Sequence, residues 1–171
     1  IEMEQPITFW SLITSGKKIV IPTIQRDYAQ GRIGKEYLRC NFLETIKSAL
    51  LDVNKPLTMD FVYGADEETR FVPLDGQQRL TTLWLLHWYV AYKSEILEEV
   101  REKLINFAYE TRISSTQFCE ALCSLMPQPI EINNNKNDAI IPLKNWIMQQ
   151  TWFYHHYKQD PTIMAMINMI C

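Results

Sequence analysis

A short polar segment between a strand and a helix carries residues that could hold an anionic group. The segment Asp75-Gly76-Gln77-Gln78-Arg79 follows the β-rich residues 70–74 and opens an apolar helix predicted over 77–92. The first amides of a helix have no acceptor within it, and the helix dipole favours negative charge there. Gly76 would let a phosphate approach the backbone, and Arg79 could clamp it with two hydrogen bonds.

The same five residues also fit an ordinary helix start. Asp75 could simply cap the helix, Gly76 could help the turn, and Arg79 could pair with an acid. Asp75 could equally bind a ribose hydroxyl or hold a metal ion. The motif alone, without its context, favours the ordinary helix start.

A second candidate segment follows the first predicted strand. Residues 18–21 are β-rich, Pro22 ends that run, and Gln25 and Arg26 follow in a polar, glycine-containing stretch over 23–34. Functional side chains are often carried on loops at strand ends. The alternative is a surface arginine in a surface loop.

Periodicity predicts the elements that must position these segments, and the predicted fold class is α+β. A mixed portion over 1–92 contains a small sheet, and an all-helical extension over 93–171 follows it. The chain ends in an apolar helical pattern without a cap, so we expect it to be a piece of a longer protein. Helices are predicted over 6–15, 35–51, 77–92, 95–108, 114–126 and 142–157 and from 161 onward, and strands over 18–21, 58–63 and 70–74. The last two strands are expected to form a hairpin. The helix over 77–92 is apolar on nearly every face and is expected to be the central buried helix. Further local signals are an apolar stripe at steps of four in the second helix (Leu38, Phe42, Ile46 and Leu50), a capping box at Ser114 and Gln117, and an Asp160 cap before Pro161.

Composition and charge exclude several classes of protein. The chain has 171 residues, of which 47% are hydrophobic and 22% charged, as in a globular domain. A net charge of −3 excludes a surface that is basic overall and coats DNA. The longest apolar run, 80–92, is shorter than the about 20 residues that span a bilayer, so no membrane contact is expected. The 4 cysteines form no CxxC pair, which argues against zinc or a disulfide framework and favours a cytoplasmic location.

Two motifs together resemble a known family. The segments IPTIQRDY (21–28) and PLDGQQRLTTLWLL (73–86) resemble the signature motifs of the DGQQR-motif domain. This domain of unknown function forms the N-terminal half of GmrSD-type modification-dependent restriction proteins and of related phage-defence proteins. Residues 107–122, 151–153 and 160–170 are similar to one subgroup, so the resemblance covers most of the chain. The family's fold is similar to that of ParB and sulfiredoxin.

The resemblance implies a nucleotide-binding regulatory domain that hydrolyses a nucleoside triphosphate with Mg²⁺ and controls the cutting of DNA. The implied phosphate site is lined by Asp75, Gly76, Gln77, Gln78 and Arg79, and is closed by Gln25 and Arg26. Arg79 and Arg26 would stabilise phosphate charge, and Gln77 or Gln78 would position water. The implied catalytic set is Asp75, Gln77, Gln78 and Arg79, with the ligands of the metal left open.

Departures from related families leave two alternatives open. Gln77 and Gln78 stand where sulfiredoxin has its cysteine, so that activity is rejected. The histidines His87, His155 and His156 do not have the arrangement of an HNH-type nuclease site, so any cutting domain is expected beyond residue 171 or on another chain. The alternatives are a non-catalytic module that binds nucleotide or DNA phosphate and, less favoured, a ParB-like nuclease. Expected partners are a nucleotide, DNA through the full-length protein and a nuclease domain, and an oligomer is possible.

Overall fold

The protein was analysed as a computed structural model, which describes residues 6–23, 28–52, 54, 56–60, 62–127 and 142–170. Seven α-helices, a 3₁₀ helix and a four-stranded sheet make up these ranges, so the predicted α+β class is confirmed. The elements in chain order are α1 (Phe9–Ile13), β1 (Lys18–Ile21), α2 (Glu36–Leu51), β2 (Gly64–Asp66), β3 (Arg70–Pro73), α3 (Gln77–Lys93), α4 (Leu97–Leu104), β4 (Phe107–Tyr109), α5 (Ile113–Ser124), α6 (Leu143–Met148), the 3₁₀ helix (His155–Gln159) and α7 (Pro161–Ile170).

The sheet is mixed, with the strand order β2-β3-β1-β4. β1 runs parallel to both of its neighbours, and Ile19 lies opposite Phe71 on one side and Phe107 on the other. β2 is antiparallel to β3 and forms one edge of the sheet. Because three of the strands are parallel, their carboxyl ends lie at the same edge of the sheet.

Helix α3 is the centre of the core, as its apolar sequence predicts. Trp84 and Trp88 are fully buried, and their indole nitrogens donate to the carbonyl oxygens of Leu104 and Leu122, both at 2.9 Å. These bonds satisfy the polar atom of each ring while the rest of the side chain packs against apolar groups. The prediction that α3 is buried on nearly every face is wrong at Tyr89 and Val90, which are exposed.

The predicted hairpin exists, but its first strand is displaced. The strand predicted over 58–63 is wrong, because the residues that pair with β3 are Gly64–Asp66. Gly64 lies opposite Pro73, and only residues 67–69 connect the two strands. This short connection places the paired residues nearer to the turn than the β-rich run 58–63.

The prediction that residues 93–171 are wholly helical is also wrong. The helix predicted over 95–108 ends at Leu104, and Phe107–Tyr109 forms β4 and pairs with β1. All three residues of β4 are buried, because the strand lies between β1 and helix α5. The sheet therefore draws strands from both portions of the chain, and the division at residue 92 stays a prediction.

The other helices show smaller differences. In α2 only Ile46 is buried, and Leu38 and Leu50 of its predicted apolar stripe are exposed. The helix predicted over 142–157 comprises α6 and the separate 3₁₀ helix. The predicted capping box at Ser114 is absent, since α5 begins at Ile113 without a side-chain cap. No helix within the described ranges has the length and apolar character needed to cross a bilayer.

Asp160 links two helices and confirms the predicted start of α7. Its Oδ1 accepts hydrogen bonds from the amides of Thr162 at 2.9 Å and Ile163 at 3.3 Å. Its Oδ2 accepts from the hydroxyl of Ser114 at 2.7 Å, so the same carboxylate joins α7 to the first turn of α5.

Replacing Asp160 by alanine is expected to lower the free energy of unfolding by about 2 kcal/mol, because a cap and a charge-assisted bond are lost together. Urea denaturation would measure the change. Thr8→Ala is the matched control, since Thr8 caps α1 at an exposed site and its hydroxyl oxygen accepts a hydrogen bond from one backbone amide, that of Ser11. Equal losses in the two variants would contradict the bridging role of Asp160.

Candidate functional site

The candidate site lies at the edge where the three parallel strands end. β1 ends at Ile21, β3 at Pro73 and β4 at Tyr109. The DGQQR residues directly follow β3, and in the sequence Gln25 and Arg26 come after β1. In open sheets with parallel strands, ligands bind outside the carboxyl ends of the strands. The chain topology thus brings the DGQQR residues, and Thr23 after β1, to the edge where such sites form.

The turn from β3 into α3 depends on Gly76. This residue is the N-cap of α3 and has a φ of 82°, in the left-handed region. The amides of Leu74 and Asp75 donate to the carbonyl oxygen of Tyr63 at 2.8 and 3.1 Å, which ties the turn to the segment before β2. The prediction that Asp75 caps the helix is wrong, because Gly76 occupies the cap position and no side chain caps it.

The amino-terminal end of α3 presents backbone amides at this edge. The amide of Leu80 is the first that donates within the helix, to the carbonyl oxygen of Gly76 at 3.0 Å. The amides before it have no acceptor inside the helix, and the dipole of this 17-residue helix places partial positive charge there. An anionic group is therefore favoured at this position.

Arg79 lies one turn into α3, between two carboxylates. Its Nη1 is 3.3 Å from Asp60 Oδ2, and its Nη2 is 3.8 Å from Asp75 Oδ2. The Arg79 side chain is only 21% exposed, whereas those of Asp60 and Asp75 are 94% and 62% exposed. The guanidinium is thus held in place by the protein, while both acids face solvent. The interpretation in which Arg79 pairs with an acid describes these contacts.

The side chains of Gln77 and Gln78 connect the turn to the two segments beside it. Gln77 Nε2 donates to the carbonyl oxygen of Pro73 at 2.8 Å, which ties the helix to the end of β3. Gln78 Oε1 accepts from the amide of Ala29 at 2.8 Å, which ties the helix to the segment after β1. These two bonds fix the first turn of α3 relative to the end of β3 and to the segment that contains Ala29.

Two buried hydroxyl groups lie on the second turn of α3, just after Arg79. Thr81 and Thr82 are both buried, and their hydroxyls contact the phenol oxygens of Tyr109 at 3.0 Å and of Tyr28 at 2.8 Å. Burial raises the pKa of both phenols, so each keeps its proton and can donate a hydrogen bond.

Gln25 and Arg26 lie outside the described residues. The structure describes the residues on either side of them, up to Thr23 and from Tyr28. The amide of Thr23 donates to Glu110 Oε2 at 3.4 Å, and its hydroxyl lies 3.3 Å from that of Thr111. The loop that leaves β1 therefore contacts the loop that leaves β4.

The sequence did not predict that Asp60 contacts Arg79, or that Glu110 and Thr111 contact Thr23. Asp60 lies in a stretch predicted to be a strand, so no pattern marked it as a partner of Arg79. Glu110 and Thr111 follow β4, whose first two residues were predicted as the end of a helix. A signal existed in the run Phe107-Ala108-Tyr109, which is buried and rich in aromatic rings, but it is too short to separate from a helix by periodicity.

The sequence matches the model of a known protein family. The family model of the N-terminal domain of the GmrSD restriction endonuclease matches residues 9–166. The chain belongs to this family. The GmrSD N-terminal domain match spans the sheet, both described sides of the candidate site and helix α7 up to Met166, so the family assignment covers the whole fold and not the motif alone.

Membership in the GmrSD N-terminal domain family implies a restriction or phage-defence protein that acts on DNA. No curated protein and no solved structure matches the chain, so the likeness to ParB and sulfiredoxin stays a prediction. Among the described residues, no three His, Cys, Asp or Glu side chains are placed to hold a metal ion.

Proposed function

We propose that this GmrSD N-terminal domain binds a nucleoside triphosphate with Mg²⁺ at the DGQQR turn and hydrolyses it to regulate DNA restriction. The observation that carries the proposal is the position of Arg79 beside the amino-terminal amides of α3, at the carboxyl edge of three parallel strands. Backbone amides, the helix dipole and a guanidinium are the groups that recognise phosphate most often.

The phosphate chain would replace the carboxylates that now contact Arg79. Ion pairs with highly exposed partners contribute less than about 1 kcal/mol, so Asp60 and Asp75 offer little resistance. A triphosphate carries several charges and can bind the guanidinium through two oxygens. Because the Arg79 side chain is only 21% exposed, the surrounding protein restricts the positions that its guanidinium can take before the ligand arrives.

Asp75 and Asp60 would then hold Mg²⁺ together with phosphate oxygens. Magnesium in nucleotide sites is usually held by one or two carboxylates, with water and phosphate as the other ligands. Both side chains are exposed and contact the same guanidinium, so they fit this requirement. The metal would neutralise charge on the phosphate oxygens.

For hydrolysis, water would attack the γ-phosphorus and the bond to the bridging oxygen would break, releasing inorganic phosphate. We assign the positioning of this water to Gln77, because its Nε2 holds Pro73 and its carbonyl oxygen can accept a hydrogen bond from water. Gln78 would hold the first turn of the helix through Ala29. Gln25 and Arg26 are proposed, from the family motif, to close the site and add charge.

The regulatory role follows from combining this site with the restriction function. Bound nucleotide would change the contacts at the carboxyl edge of the sheet and thereby how the domain acts on a nuclease domain, on the same chain or a separate one. DNA would be engaged through the full-length protein.

The Arg79→Ala variant tests the phosphate site. We expect its affinity for ATP, GTP or CTP with Mg²⁺ to fall at least tenfold, which corresponds to about 1.4 kcal/mol. Calorimetric titration measures the affinity, and a phosphate-release assay measures turnover. Arg101→Ala is the matched control, because Arg101 is also paired with a carboxylate, that of Glu98, but lies on α4.

Three results would separate the possibilities. Absence of binding by the parent chain, or equal affinity in Arg79→Ala, would refute the phosphate site. Binding without phosphate release above that of Arg79→Ala would refute hydrolysis and support the alternative, a non-catalytic binding module. That alternative is favoured by one observation, namely that each of the two glutamines is already engaged in a contact that braces the turn.

A further inference from the structure

Two tyrosine–threonine pairs of the same chemistry support adjacent positions of α3. Tyr28 contacts Thr82 at 2.8 Å, and Tyr109 contacts Thr81 at 3.0 Å. The two threonines are buried to the same degree, and each one also contacts the helix carbonyl oxygen four residues earlier. They differ in what they join, because Tyr109 belongs to β4 and Tyr28 to the segment that follows the QR residues.

The hydroxyl of Thr82 is the centre of a small network. It contacts the carbonyl oxygen of Gln78 at 3.0 Å and the side-chain oxygen of Gln30. Both of these are acceptors and Thr82 has one proton, so the phenol of Tyr28 must donate to Thr82 Oγ1. Through Ala29, which donates to Gln78 Oε1 at 2.8 Å, the same segment also holds the Gln78 side chain.

The far side of this segment is fixed against α7. A Cβ atom added to Gly31 would lie 1.7 Å from the carbonyl oxygen of Ala165, so the two backbones are in direct contact. Residues 28–31 therefore contact both α3 and α7, and they connect the first turns of α3 to α7.

We propose that Thr82 is a positioning residue of the phosphate site. It fixes Gln78 and the first turn of α3 against residues 28–31, and so sets the direction in which the helix amides and Arg79 meet a phosphate chain. Thr81 makes a bond of the same kind to the sheet and has no contact with Gln78 or with residues 28–31 among those the structure gives. This inference rests on the proposed function for the part that concerns the ligand.

The test compares Thr82→Val, Thr82→Ser and Thr81→Val in the full chain. Valine keeps the shape of threonine and removes the hydroxyl, whereas serine keeps the hydroxyl. We expect Thr82→Val to weaken the binding of ATP with Mg²⁺ about tenfold, and Thr82→Ser and Thr81→Val to remain within about threefold of the parent chain. Hydrogen exchange of the Ala29 amide, read by NMR, should be faster in Thr82→Val alone.

Tyr28→Phe provides a second route, because it removes the donor to Thr82 and keeps the ring. It should show the same faster Ala29 exchange and about tenfold weaker binding of ATP with Mg²⁺, and it carries the test if Thr82→Val does not fold. Equal losses of affinity in Thr82→Val and Thr81→Val, or an unchanged Ala29 exchange rate, would overturn the positioning role. If the parent chain binds no nucleotide and the Ala29 amide still exchanges faster in Thr82→Val alone, the proposed function fails and the positioning of Gln78 stands.

Discussion

Adding one methyl group at Gly31 should lower the free energy of unfolding by about 3 kcal/mol. The Cβ atom would lie 1.7 Å from the carbonyl oxygen of Ala165 and 2.6 Å from its carbonyl carbon. Both atoms belong to the backbone of α7, so the clash can be relieved only if the helix or the segment 28–31 moves. For a chain of this size the midpoint of thermal unfolding should fall by roughly 6–12 °C, which calorimetry or circular dichroism would measure.

Gly16→Ala is the control for Gly31→Ala. Gly16 has a φ of 89°, and no atom lies within 4 Å of an added Cβ, so its replacement adds backbone strain of about 1–2 kcal/mol and no clash. If Gly31→Ala is no less stable than Gly16→Ala, the close contact between residues 28–31 and α7 is incorrect.

Replacing Gly76 by alanine should cost about 2–3 kcal/mol of stability and should also weaken nucleotide binding. The φ of 82° disfavours a side chain by about 1–2 kcal/mol. The added Cβ would in addition lie 2.6 Å from Cγ2 of Val62, which must rotate or shift. Because this strain falls on the cap of α3, the helix amides should no longer face the phosphate position. Chemical denaturation and calorimetric titration measure the two effects.

Gly34→Ala separates strain from contact at Gly76. Gly34 has the same φ of 82°, and its surroundings are open. The difference in the free energy of unfolding between the two variants should therefore report the contact with Val62. When Val62 is also replaced by alanine, Gly76→Ala should cost only the backbone strain. A Gly76→Ala chain as stable as Gly34→Ala would show that Val62 adapts without cost.

Local patterns in the sequence were enough to predict α3 and the turn that precedes it. The apolar run after Arg79, the glycine and the β-rich run before Asp75 all act within a few residues of one another. The start of α7 could be predicted for the same reason, since Asp160 and Pro161 form a local signal. Features of this kind do not depend on which distant residues pack against them.

The missing parts of the fold and of the site depend on distant contacts. Phe107–Tyr109 becomes a strand because β1 offers it a partner, and no property of three residues shows this in advance. Asp60 contacts Arg79 from 19 residues away, and Ala29 contacts Gln78 from 49 residues away. The DGQQR residues could therefore be located from the sequence, whereas the contacts that orient Arg79 and Gln78 could not.

The topology of the sheet also bears on how the chain acquires its structure. Thr23, just after β1, contacts Thr111, just after β4, and the two are separated by 88 residues. Closing so long a segment is slow, because chain entropy must be lost before the contacts form. We therefore expect β1 to stay unpaired during synthesis, with its apolar residues Ile19 and Ile21 uncovered, until β3 and then β4 have been made. An interval of this kind would expose an apolar strand to chaperones and to aggregation before folding is complete.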